Sequence, residues 1–124
     1  MSGLPIMMRK LIVTFESFDV VVVPFPFTDT ARHKRRPALV LSSSKRFNTA
    51  IGHSVMAMIT SARNSPWPLD TKLEDLAAAG LKAESVVRLK LFTLDHRLII
   101  SKTGHLSKRD RAKIGKNLEI LFHD

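Results

Sequence analysis

Cysteine is absent from this 124-residue chain, which excludes disulfides, zinc–thiolate centres and thiol nucleophiles. That suits a reducing compartment, and a cytoplasmic location is the expectation. Acidic side chains are scarce: eleven Asp and Glu stand against twenty Lys and Arg, leaving a net charge of +9 and a pI near 10.5. Long apolar runs are missing as well. None approaches the roughly 20 residues that a membrane helix requires, so no membrane partner is expected. The run Leu11-Ile12-Val13 after Arg9-Lys10 is too short for a secretion signal, and no small-residue cleavage site follows it. No glycine-rich phosphate loop, HExxH or GxSxG segment occurs. The histidines His33, His53, His96, His105 and His123 are scattered without ligand spacing. Neither a metal nor a cofactor is therefore expected.

What is present suits one folded domain. The length and a hydrophobic fraction of 44% allow a single buried core without staples. Residues 1–16 read as a leader, a short flexible tail or an added extension, with Met7 or Met8 as alternative starts. Residues 17–124 read as the domain. The cationic excess points to a polyanion, whether nucleic acid, anionic lipid or an acidic protein, and charge alone does not choose among them.

Short strands dominate the pattern. The β-branched run Val20-Val21-Val22-Val23 predicts a buried strand over residues 19–27, with Pro24 and Pro26 confining its end to an edge or bulge. A polar, basic loop over residues 28–36 leads to a second strand over 37–42, and the two should form a hairpin. Residues 43–52 read as a polar connection and residues 53–60 as a third strand. Pro66-Trp67-Pro68 is fixed in an extended conformation by its prolines. Thr71-Lys72-Leu73-Glu74 has the capping-box spacing and predicts a short helix that Gly80 stops. Further strands are expected over 85–91 and 98–102. Ser107, with Asp110 three residues on, caps a C-terminal helix whose face carries Ile114, Leu118 and Leu121. Without βαβ alternation, the fold class is mostly β (α+β): a small, strongly curved sheet or partly open barrel with a short helix and a C-terminal helix packed on it.

Chemistry is expected in the basic loop. Arg32, His33, Lys34, Arg35 and Arg36 place four permanent cations and one imidazole in consecutive positions. A guanidinium grips two phosphate oxygens at once and never loses its charge. A solvated basic turn is the plain alternative. Pro37 favours the sharper reading, because it keeps Arg36 out of the α region and so holds it extended at the root of the strand. Thr60 and Ser61 bring two hydroxyls to the end of the third strand, where they can hold a phosphate or simply form a turn. Trp67 is a candidate stacking platform for an unstacked base, or else packs on the barrel. The acids Asp70, Glu74 and Asp75 read as complements to a helix dipole rather than as a metal site. Lys108, Arg109, Arg111, Lys113 and Lys116 read as the solvated face of the last helix.

Taken in order, these segments resemble the MazF/PemK family of toxin endoribonucleases. The resemblance rests on FDVVVVPFPFTD (residues 18–29), RRPALVLS (35–42), ITS (59–61), SVVRLKLFTLD (85–95) and GHLS (104–107), and covers residue 17 to the C-terminus. It implies an SH3-like barrel, a homodimer, a cognate antitoxin partner, and metal-independent cutting of single-stranded RNA. It also implies Arg36 and Thr60 as catalytic residues, with Arg88 on the later strand implicated in some members. Around that pair, Arg32, His33, Lys34, Arg35, Ser61, Arg63 and Arg88 are the expected RNA-binding groups. The chain departs from the pattern at Phe18, where the family often has glycine, and at Lys90, where some members carry an acid proposed as base. His33 is a candidate base, since imidazole titrates in the right range, and is equally a phosphate contact. Two alternative readings are a non-catalytic toxin of the same fold that binds DNA gyrase, and a plain RNA-binding barrel.

Overall fold

The computed structural model describes residues 14–25 and 34–124. Six antiparallel strands form one curled sheet in the order β4-β5-β3-β2-β1-β6. They are β1 (Asp19–Phe25), β2 (Lys34–Val40), β3 (His53–Ser61), β4 (Thr71–Lys72), β5 (Ser85–Asp95) and β6 (Ser101–His105). Three helices accompany them: α1 (Thr49–Ile51), α2 (Leu76–Ala79) and α3 (Lys108–Leu121). This is the expected mostly-β, strongly curved half-barrel with a short and a C-terminal helix. No helix among the described residues is long and apolar enough to cross a membrane.

The valine run explains why β1 lies inside the sheet. Successive strand side chains point to opposite faces, and here both faces are covered. Val20 joins Leu39, Ala57, Ile59, Val87, Leu106 and Ile114 in the main core, beneath α3. Val21 and Val23 join Phe15, Ala38, Val40, Met56 and Leu94 in a second core on the opposite face. Phe15, which the sequence assigns to the leader, is thus packed into the domain, and its carbonyl accepts from Asn48 Nδ2 at 2.8 Å. Asp19 is fully buried at the start of β1. It accepts from the Glu16 backbone N–H and from His105 Nδ1, both at 2.8 Å, and pairs with Lys102 at 3.2 Å. This carboxylate ties the beginning of the domain to β6.

Several expected elements move. The capping box at Thr71 is not used, because Thr71 is buried and pairs with Val87 as β4. The short helix begins later, with the Asp75 carboxylate accepting from the Ala78 N–H, and ends at Gly80 as expected. Residues 43–52 are not merely a polar connection: Ser43 caps a helical turn, Ser44–Asn48, that runs into α1. The strand expected at 98–102 lies at Ser101–His105, because Asp95 caps a helical turn at His96–Leu98. The C-terminal helix starts at Ser107 as expected, and Ile114 is fully buried. Leu121, expected on the same face, is 40% exposed.

Candidate nucleic-acid interface

The site arises where two neighbouring strands part. β2 pairs with β3 only through Ala38↔Met58, Leu39↔Ala57 and Val40↔Met56. Beyond Ala38, β2 is held by β1 alone, with Val22↔Pro37 and Val23↔Arg36. β3 is held by β5 alone over Ile59, Thr60 and Ser61. Pro37 gives the reason. The Leu41 N–H donates to the Val55 carbonyl at 2.8 Å, so odd positions of β2 aim their N–H groups at β3. Residue 37 should carry the next such donor but one, and proline has none. The ladder therefore stops and the strands separate.

Arg36 and Thr60 stand on either side of this gap. Continuing the register two residues past Ala38↔Met58 places them opposite each other, on the face that carries Ala38, Val40 and Met56. With Phe25, Met58, Ile59, Asn64, Arg88 and Lys90 they line a cleft of about 210 Å³. Larger clefts elsewhere do not contain these residues. The far wall carries an irregularity: β5 advances from Arg88 to Leu91 while β3 advances only from Met58 to Ala57. Such bulges re-aim side chains at functional sites. Here the inserted residues are Leu89, which enters the main core, and Lys90, which lines the cleft.

Thr60 is oriented by its neighbour. Asn64 Nδ2 donates to Thr60 Oγ1 at 2.5 Å, so the threonine oxygen is used as an acceptor and its own hydrogen is free to donate. Arg88 is firmly held. Its Nε and Nη2 reach the two carboxylate oxygens of Asp70 at 3.2 and 2.9 Å, and Nη2 also donates to the Ser65 carbonyl at 2.5 Å. Burial pushes the Asp70 carboxyl upward, but the Arg88 hydrogen bonds, the Trp67 N–H and the Arg88 charge outweigh it. The result lies below the ordinary carboxylate value. Asp70 also raises the Arg88 guanidinium above its usual range.

The other expected RNA-binding residues divide. Arg32 and His33 lie outside the described residues. Lys34 and Arg35 belong to β2 rather than to a loop, because the hairpin ladder continues through Phe25↔Lys34 and Pro24↔Arg35. Strand alternation turns Arg35 to the opposite face from Arg36, while Lys34 shares its face. Ser61 points away from Thr60 for the same reason, and its Oγ accepts from the Arg63 N–H at 3.2 Å. Arg63 is exposed in the turn beyond. Asn64 was not expected at the site, although the turn four residues after Thr60 was a signal for it. Lys90 entered the sequence reading only as a departure, at a position where the family resemblance puts an acid in some members, and the bulge that brings it to the cleft has no sequence marker. Asp70 does not serve the helix dipole, because α2 starts six residues further on, at Leu76.

Solved structures share this architecture. A MazE–MazF complex from Deinococcus radiodurans matches with a TM-score of 0.70 at 24% identity, covering 90% of this chain and 100% of that one. An endoribonuclease in complex with its cognate antitoxin, from Mycobacterial species, matches at 0.68 and 14% identity, over 88% and 93%. The Mycobacterium tuberculosis toxin MazF-mt6 matches at 0.65 and 16%, over 84% and 95%. At these identities the likeness is one of fold. A comparison with curated proteins found no significant match. The family model described as PemK-like, MazF-like toxin of type II toxin-antitoxin system matches residues 16–122, nearly the whole domain, and the chain belongs to that family.

Proposed function

We propose that this toxin is an endoribonuclease that cuts single-stranded RNA at short sequences, without a metal ion, and so blocks translation in the cytoplasm. The observation that carries the reading is the placement of Arg36 and Thr60 across the gap that Pro37 opens. RNA supplies its own nucleophile. The 2′-hydroxyl gives up its proton as its oxygen attacks the adjacent phosphorus, the P–O5′ bond breaks, and the leaving 5′-oxygen takes up a proton, so one proton is removed and one returned. The products are a 2′,3′-cyclic phosphate and a 5′-hydroxyl. Arg36 stabilises the charge that builds on the phosphoryl oxygens, since a forked cation fixed on a strand needs no reorganisation during the reaction. Thr60, with its oxygen occupied by Asn64, donates to a non-bridging oxygen and fixes the phosphate in line.

Partners follow from the same reading. The solved relatives described as complexes with MazE or with a cognate antitoxin support an antitoxin for this chain, and a +9 surface suits an acidic one. A homodimer is proposed on the family pattern.

The test is direct. Purified chain is incubated with a long single-stranded RNA in EDTA, and the new ends are mapped. Cleavage with 5′-hydroxyl ends is expected. Arg36→Ala should lower kcat about 10²- to 10³-fold, the usual cost of removing one preorganised charge-stabilising donor. An inert wild type, or undiminished cutting by Arg36→Ala, would refute the proposal.

A further inference from the structure

Trp67 is the only tryptophan in the chain and stands 43% exposed beside the cleft. A tryptophan that served only the core would be covered. This one instead rests on two cations that line the cleft, with Arg88 5.3 Å and Lys90 5.9 Å from the ring centroid. Both come from β5, two residues apart, so the ring is seated on one strand of the cleft wall. The surface it leaves exposed is open to a ligand.

The loop that carries the ring is over-determined. Pro66 and Pro68 restrict the backbone on either side of Trp67. The turn closes on itself: the Trp67 N–H donates to Asp70 Oδ2 at 2.9 Å, and the Asp70 N–H donates to the Trp67 carbonyl at 3.2 Å. Leu69 sits at φ +66°, a left-handed conformation that a leucine adopts only when its surroundings impose it. Asn117 of α3 braces this turn, donating to the Leu69 carbonyl at 3.2 Å and to Thr71 Oγ1 at 2.8 Å. Asp70 then reaches back to hold Arg88 beneath the ring. Strain and hydrogen bonds are thus arranged to keep one aromatic surface still, at the edge of a cationic cleft.

Building on the endoribonuclease reading, we propose that Trp67 is the stacking platform for an unpaired base of the RNA beside the phosphate held by Arg36 and Thr60, with Arg88 and Asp70 as its positioning residues. An exposed indole over a cation pair suits a nucleobase, because every base offers a π-face and the neighbouring cations meet its phosphates. On this assignment Arg88 acts first on the ring. Three of its five N–H groups are already donated to Asp70 and Ser65, which leaves Nη1 for a ligand.

Because Trp67 is the sole tryptophan, its fluorescence reports the contact directly. The full chain is titrated with two end-labelled oligomers of equal length. One is a 2′-O-methyl RNA pool of mixed sequence, which cannot be cut, and the other is an abasic strand with the same phosphates. Polarisation of the label measures binding independently of the indole. The proposal expects the base-bearing pool to quench Trp67 and the abasic strand not to. It expects Trp67→Ala to weaken the pool roughly 10- to 100-fold while leaving the abasic strand unchanged, and Trp67→Phe to recover most of the loss. On cleavable RNA, Trp67→Ala should raise KM more than it lowers kcat. Circular dichroism confirms that the variants fold. Binding without quenching, or pool binding by Trp67→Ala as tight as wild type, overturns the stacking assignment and leaves the catalytic reading standing. Retained pool binding with lost antitoxin binding reassigns the ring to a protein partner and also overturns it. If neither oligomer binds the wild type, the endoribonuclease reading fails and this inference falls with it.

Discussion

Replacing Gly104 by alanine should unfold the domain at a markedly lower temperature, for a reason that can be measured on the backbone. A methyl group at this position would lie 2.2 Å from the Ala78 carbonyl oxygen, 2.5 Å from the Ala79 carbonyl carbon and 2.8 Å from its oxygen. Relief requires α2 and β6 to move apart by about 1 Å, since both sides of the clash are main chain. That motion strips the Thr103 Oγ1 hydrogen bond from the Ala79 carbonyl, now 3.1 Å, which is worth about 1 kcal/mol. It also lifts Ala79, fully buried in the main core, away from its neighbours. Overpacking a core costs about 1–3 kcal/mol where side chains can yield, and a clash between backbones belongs at the upper end. A loss of about 3 kcal/mol lowers Tm by roughly 10 °C in a domain of this size. The control is Gly115→Ala. Nothing lies within 4 Å of the added methyl there, and the residue sits inside α3. Alanine at that site should raise Tm by a few degrees, through about 0.5–1 kcal/mol of helix preference. Differential scanning calorimetry of the two variants separates steric from conformational effects. A Gly104→Ala protein melting within about 2 °C of wild type would refute the close-approach argument.

Acid should weaken the fold in two separate windows. Burial holds the His96 imidazole below its ordinary value of 6.5, with the His53 charge acting the same way and Asp95 opposing, so His96 stays neutral beside Ser54 Oγ, 2.6 Å from Nε2. A depressed histidine binds its proton more readily when unfolded. Its stabilisation is therefore complete above 6.5 and drains away as pH falls from there toward the folded pKa. Denaturant midpoints measured from pH 7.5 to 5 should decline, and His96→Gln should flatten the decline; an unchanged slope would contradict the assignment. The second window belongs to Asp110, whose carboxyl is fully buried. Burial raises its pKa, but the N–H groups of Asp75 and Glu74 and the Lys113 ammonium outweigh that and hold it below 3.8. Its contribution is thus intact above 3.8 and lost only as pH falls through the depressed value, so Asp110→Asn should be weaker than wild type at pH 6 and converge with it in strong acid.

The sequence was most legible where one physical demand dominates. Four consecutive β-branched residues leave little choice but a strand buried on both faces, and Ser107 with a gap of three to Asp110 locates the start of α3. Yet Asp110 shows the limit of such patterns. Its spacing suggests a carboxylate turned back on its own helix, whereas it reaches across to the N–H groups of Glu74 and Asp75. Thr71 to Glu74 misleads similarly: the spacing is right for a capping box, but burial of Thr71 against β5 and Asn117 decides the outcome. The helical turn at Ser44–Asn48 has few apolar residues and is fixed by Asn48, a buried amide bonded to Phe15 and Ser42, which no periodicity reveals. Arg36 and Thr60, proposed from local chemistry and family resemblance, do line one cleft. Asp70, eighteen residues from Arg88 along the chain, was not foreseen there, because only the folded loop brings the pair together.

Pro37 has a larger part in the site than its effect on Arg36 alone. A proline in a paired strand is normally a defect, tolerated at edges and bulges. Here it falls where the missing donor would have joined β2 to β3, so the two strands separate only after Ala38↔Met58 has fixed their register. The gap is therefore open and yet rigidly walled. Arg36 remains bound to β1 through Val23, and Thr60 to β5 through Val86, so each wall is anchored in the same core. Cations on a free loop would add affinity for a polyanion without fixing where its phosphate lies. A separation of this kind fixes where the backbone roots of a cation and a hydroxyl stand before any ligand arrives, which under the proposed endoribonuclease reading favours stabilising a transition state over merely binding RNA.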